Sequence, residues 1–183
     1  MSSLNGGIVV QINSSAVSYR AHLQQQISIA RRTLLGVVVM TLINLVLLLR
    51  DGNTYLVFSA SVPYYLTFLG KVIDNGFGPM VENGTYTATG LVLGLVILAM
   101  YLLSWLLSKR KGNWLYVGAG LLCLDLVALA AVSVLLLQSI TGTAVDILVH
   151  IVAIVQIGKG ATADKKLRSL PPETTYTVVT DDL

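Results

Sequence analysis

The sequence is short of charge. Asp, Glu, Lys and Arg make up 11% of its 183 residues, where a soluble domain carries about 25%. That excludes an ordinary water-soluble globule. It has one cysteine, Cys123, so no internal disulfide is available, and inside an apolar run the thiol reads as a small buried hydrophobe. With two histidines, His22 and His150, beside that one cysteine, neither H-E-x-x-H nor C-x-x-C is present. Nor is there a glycine-rich phosphate loop. No catalytic residue, metal site or cofactor is therefore expected, and the chain does not read as an enzyme. The net charge of +3 lies beside apolar runs rather than on one soluble face, so no nucleic-acid partner is expected either.

What the sequence has instead is apolar length. Hydrophobic residues reach 55%. Four proline-free runs, 33–49, 88–107, 114–138 and 143–158, each come near the length of a membrane-crossing helix. The fold class expected is an all-α membrane protein, a four-transmembrane-helix bundle. It has an N-terminal amphipathic helix and an outer re-entrant or interfacial segment. The lipid bilayer is its surrounding partner. Residues 33–158 form the bundle, and no other stretch is long enough for a separate core. No cleavable signal peptide is expected, because the first apolar run starts only near Thr33.

Residues 1–32 read as an amphipathic segment on the inner membrane surface. The first 13 are polar, and a helix capped by Ser14 or Ser15 follows. Leu23, Ile27, Ala30 and Leu34 repeat at helical spacing. Residues 159–183 are polar and contain Pro171-Pro172, so they read as a flexible inner tail.

Residues 54–70 decide the topology. They are apolar enough to enter the membrane, but Pro63 interrupts them and five aromatics give them an interfacial character. With four spans, Arg20, Arg31, Arg32, Lys109, Arg110, Lys111, Lys159, Lys165, Lys166 and Arg168 share one side. The other side keeps Arg50 and Lys71. A fifth crossing at 54–70 would separate Arg31-Arg32 from Lys109-Arg110-Lys111. The positive-inside rule therefore makes 54–70 re-entrant or interfacial and both termini cytoplasmic, in a multi-pass protein of the cell membrane. Residues 71–87 become the outer loop, with a glycosylation-type tripeptide at Asn83.

Two kinds of residue stand out in the spans. Gly90 and Gly94 form a small-xxx-small pair, and Gly118 adds a small position, so these are candidate helix-packing sites. The polar candidates are Asn44, Tyr101, Asp125, Asp146 and His150. A charged side chain at the bilayer centre costs at least about 2.5–3.5 kcal/mol, so it normally faces protein or a wet cavity. At about 1.5 Å per residue, Asp125 lies about 16 Å from Trp114 and His150 about 12 Å from Gly158. The two then sit at similar depth on helices joined by a tight turn near Gly142. Asp146 is one helical turn from His150.

The chain also resembles a group of uncharacterised small four-span integral membrane proteins of Gram-positive bacteria. The resemblance runs from Asn44 to Leu170. It is carried by Asn44-Leu-Val-Leu-Leu-Leu, Phe58-Ser-Ala-Ser-Val-Pro-Tyr-Tyr-Leu, Tyr101-Leu-Leu-Ser-Trp-Leu-Leu-Ser-Lys, Asp146-Ile-Leu-Val-His and Lys166-Leu-Arg-Ser-Leu-Pro. It implies a bacterial plasma membrane and a four-span plan, and no activity.

Two functions from different classes fit. The first is a structural, accessory or regulatory membrane protein that acts by helix packing with itself, as a homo-oligomer, or with another membrane protein. The alternative is a small transporter or channel subunit with a proton or cation site at Asp125 and His150. The topology is directly testable. A membrane-impermeant thiol reagent added outside should label Asn75→Cys and leave Lys111→Cys untouched until the membrane is opened. Labelling of Lys111→Cys in intact cells would refute the four-span plan.

Overall fold

The computed structural model describes residues 14–50, 55–77, 84–135 and 143–171, and the regular structure among them is helical. The helices are α1 (Ser14–Leu49), α2 (Ser61–Phe77), α3 (Thr85–Ser108), α4 (Trp114–Leu135) and α5 (Ala144–Ser169). All but α2 are long and apolar enough to cross a membrane. Leu23 and Ile27 of α1 pack on Ala163 of α5, which puts the first half of α1 and the last turns of α5 at one end of the bundle, here the terminal end. The polar leader 1–13, the turn near Gly142, Asn83 and the tail beyond residue 171 lie outside the described residues.

The helices bury narrow stripes and expose large apolar side chains such as Leu124, Val127, Val145 and Leu148. That is the pattern expected where lipid, not water, is the solvent. Leu34, Val37, Leu98, Tyr101, Leu115, Leu122, Ala153 and Ile157 form the main core. On α3 the buried stripe is Gly90, Gly94, Leu98, Tyr101, Ser104 and Ser108. Cys123 is exposed, on the outer face of α4, and not buried as its apolar setting implied.

The first and last of the described helices extend past expectation for one reason. The amphipathic segment is not a separate helix. It is the first half of α1, which runs unbroken through 36 residues. At 1.5 Å per residue that is about 54 Å, against a hydrocarbon layer of about 30 Å. The residues expected to form a flexible tail continue α5 to Ser169. The two extensions pack on each other. Gly160 sits so close to α1 that an added Cβ would lie 2.2 Å from the Ala30 Cβ. The Arg20 guanidinium donates to the Pro171 carbonyl. The Leu23–Ile27–Ala30 stripe is thus satisfied by protein and not by headgroups.

Segment 55–77 is re-entrant with respect to the bundle. From the distal end of α1 the chain returns toward the bundle centre, where Phe58 packs over Gly36. Gly36 is 13 residues before the end of α1, about 20 Å down its axis. The backbone turns at Phe58, whose φ of 74° is in the left-handed region, at a cost of about 1–2 kcal/mol for a residue with a Cβ. Helix α2 then climbs back beside α3. Pro63 does not break it. It is the third helical residue, where a missing N–H is no loss. The outer loop expected at 71–87 therefore begins later, because Lys71 to Phe77 belong to α2.

Glycines set the α2–α3 contact. A Cβ on Gly90 would meet the Leu66 carbonyl oxygen at 2.3 Å, and one on Gly70 would meet that of Tyr86 at 2.2 Å. Gly94 lies over Pro63. The small-residue pair on α3 thus receives the re-entrant helix. Gly118 on α4 receives Leu34 and Ser104. At the distal end, Asp74 accepts N–H bonds from Tyr86 and Thr87 and the Thr87 hydroxyl at 2.6–3.1 Å. The bond from the Thr87 hydroxyl, with the two backbone donors, holds the Asp74 carboxyl below the usual carboxylate range.

Gly90→Ala should destabilise the protein by about 1–3 kcal/mol, the usual cost of overpacking, and so lower its melting temperature in detergent. Gly120→Ala, with nothing within 4 Å of the new Cβ, should melt like the parent. Equal melting of both variants would mean that α2 does not lie against α3.

Candidate functional site: a buried carboxylate–imidazole network

Three ionisable side chains meet in the middle of the bundle. Asp125 and His150 are each 2% exposed, and Asp146 is 5% exposed. Asp125 projects from the middle of α4, and Asp146 and His150 project from the first two turns of α5. His150 Nε2 is 2.8 Å from Asp125 Oδ2. His150 Nδ1 is 2.8 Å from the Asp146 carbonyl oxygen and 3.5 Å from its carboxylate Oδ1. The imidazole therefore lies between two carboxylates, one at each ring nitrogen. The three donors do not converge on a point, and among the described residues no group of His, Cys, Asp and Glu is arranged to hold a metal ion.

The backbone carbonyl fixes the proton count. A carbonyl oxygen only accepts, so Nδ1 carries a hydrogen. The contact from Nε2 to Asp125 Oδ2 then requires one more proton on that line, either on the ring or on the carboxyl. Asp125 has further work. Its Oδ2 accepts the Ser61 N–H at 2.7 Å and its Oδ1 the Val62 N–H at 2.8 Å. These are the first two N–H groups of α2, so a side chain of α4 caps the re-entrant helix from outside it.

Asp146 is less well satisfied. Its Oδ2 accepts the Tyr55 hydroxyl at 2.9 Å. Its Oδ1 is buried without a hydrogen-bond partner. From Tyr55 the bonds continue back to α1. The Ser59 hydroxyl donates to the Tyr55 oxygen at 3.2 Å, and Asn44 Nδ2 donates to Ser59 Oγ at 2.8 Å. Asn44 also exchanges both of its remaining bonds with the Leu56 backbone, each at 2.8 Å. The Thr41 hydroxyl accepts the Ala60 N–H. Among the described residues, the non-helical stretch before α2 is thus held at Leu56, Ser59 and Ala60 by polar side chains of α1.

Of the residues singled out from sequence, Asn44, Asp125, Asp146 and His150 fall in or beside one network. Tyr101 is buried in the adjoining core on α3. Gly90, Gly94 and Gly118 lie outside the network and set helix spacing. Sequence reasoning missed Thr41, Tyr55, Ser59 and Ser61. Ser59 and Ser61 had a signal, two hydroxyls flanking an alanine next to Pro63 in an apolar stretch. Tyr55 had none beyond its aromatic neighbours, two of which, Tyr64 and Tyr65, stack edge-on in series with it.

No protein-family model matches this chain, and no curated protein or solved structure shows significant similarity to it. The site is therefore read from its own chemistry.

Replacing Asp125 with Leu removes two helix-capping acceptors and the partner of His150. It should cost about 3–5 kcal/mol, as breaking one side of a buried pair does. Asp125→Asn keeps one acceptor and the shape, so it should cost clearly less. Thermal unfolding of both variants in detergent checks the order. Equal melting of Leu and wild type would show that Asp125 does not hold α2.

Proposed function

We propose that this small integral membrane protein is a proton-linked transporter or channel subunit. Asp125 and His150 bind the proton, and the re-entrant segment responds to it. The observation that carries this reading is the Nε2–Oδ2 contact, which needs one proton to exist. With that proton removed, a ring lone pair faces a carboxylate oxygen and the contact becomes repulsive. The same carboxylate caps Ser61 and Val62, so the proton is linked to the seat of α2. Asp146, with an unpartnered oxygen beside the other ring nitrogen, is the next acceptor along the network. Intramembrane ionisable groups are costly, and pathways and proton relays are where they are usually retained. The charge distribution supports a cytoplasmic terminal end, so segment 55–77 enters from outside.

A second reading is favoured by the capping bonds. They support a packing role in which the network is polar glue that holds the re-entrant segment, and the protein acts by association with itself or another membrane protein.

The two readings separate in liposomes containing a pH-sensitive dye. Wild-type protein should collapse an imposed pH gradient faster than empty vesicles. Asp125→Asn and His150→Gln should lose that increment while eluting at the wild-type position. A wild type without flux overturns the proton reading and leaves the packing role.

A further inference from the structure

We propose that the terminal end of the bundle carries a binding site for the phosphate of an anionic phospholipid. The site is an open groove of about 490 Å³ between α1, the end of α3 and the extension of α5. Its polar rim is Arg31, Arg32 and Lys109, and its apolar wall includes Ile27, Leu35 and Leu167. On α1 it is lined by residues 24–35, on the terminal side of the positions that meet segment 55–77, and it includes no residue of the proton network.

Three observations point to an anion held at headgroup level. First, the cations are not neutralised by protein. Asp164 is the one carboxylate lining the groove, and it pairs with Arg168 at 2.8 Å. Among the described residues no carboxylate pairs with Arg31, Arg32 or Lys109. Second, two of these cations are held in place. Arg31 Nη2 donates to the Ser108 carbonyl at 2.6 Å, capping the end of α3. Its Nε is buried with no hydrogen-bond partner. The Lys109 ammonium sits 3.8 Å from the centroid of the Trp105 ring, a side chain that also lines the groove. Third, the depth is right. Trp105 and the turn after α3 mark the boundary of the apolar layer, where tryptophan rings settle. A basic pocket between helices at that depth suits a lipid phosphate, with the acyl chains continuing along the apolar wall. A soluble anion would use the cations and leave that wall unused.

The test is native mass spectrometry of the full chain in detergent with phosphatidylglycerol or phosphatidylcholine added in equal amounts. Arg31 is left intact because it caps α3. Wild type should retain phosphatidylglycerol in preference to phosphatidylcholine. Arg32→Gln with Lys109→Gln should weaken retention about fivefold for each cation removed and about 30-fold for both. Lys165→Gln with Lys166→Gln removes the same charge from the same end, outside the groove, and should retain the lipid like wild type. Melting temperatures confirm that both variants are folded. Equal retention of the two lipids by wild type overturns the proposal, as does an equal loss in both double variants. Displacement of phosphatidylglycerol by millimolar inorganic phosphate also overturns it, by assigning the groove to a soluble anion.

Discussion

A helix that begins inside an apolar bundle has up to four backbone N–H groups with no partner of its own. Lipid supplies none. Helix α2 is in that position, and the rest of the bundle centre is arranged around the problem. Proline at its third residue deletes one donor. Asp125 takes the first two. That requirement places a carboxyl group in the middle of α4, and α5 sets His150 against it with one proton between the two. Read in this order, the costly ionisable groups follow from the re-entrant backbone.

The same device recurs at the other end of the hairpin. Asp74, near the end of α2, accepts from Tyr86 and Thr87 in the first turn of α3. The starts of α2 and α3 are each capped by a carboxylate from another helix, so α2 is tied at its beginning to α4 and near its end to α3. Between the two ties its backbone rests on Gly90 and Gly94 with no side chain intervening. This explains how 17 residues, too few to cross a membrane comfortably, hold a fixed place without their own span.

The legible parts of the sequence were those governed by fixed geometry. Helical rise alone put Asp125 and His150 at one depth, and the structure brings them to 2.8 Å. Charge bias kept segment 54–70 from becoming a fifth span. The extensions of α1 and α5 were not legible, because an apolar stripe at helical spacing looks the same whether it meets headgroups or Ala161 and Ala163. Pro63 misled for a related reason, since its effect depends on its position within a helix whose start the sequence did not mark. The hydroxyl partners Thr41, Tyr55 and Ser59 were hidden because they serve a non-helical segment, which has no period to read.

The network also argues against a purely apolar substitute at its centre. A Leu pair in place of Asp125 and His150 would pack well between α4 and α5, and exchanges of buried ion pairs for hydrophobic residues are often neutral or stabilising elsewhere. Here it would strand the N–H groups of Ser61 and Val62. An asparagine at 125 would relieve that only in part, since its amide nitrogen cannot accept. A carboxylate is the side chain whose two oxygens can accept both donors and still face the imidazole. That argument accounts for Asp125 and leaves Asp146 over. Its Oδ1 caps nothing and has no hydrogen-bond partner, only His150 Nδ1 at 3.5 Å, while its Oδ2 accepts the Tyr55 hydroxyl, which needs a single acceptor. A glutamine or asparagine would serve Tyr55 as well at less electrostatic cost. The unpartnered oxygen of Asp146 is thus the feature of the network that helix packing leaves unexplained.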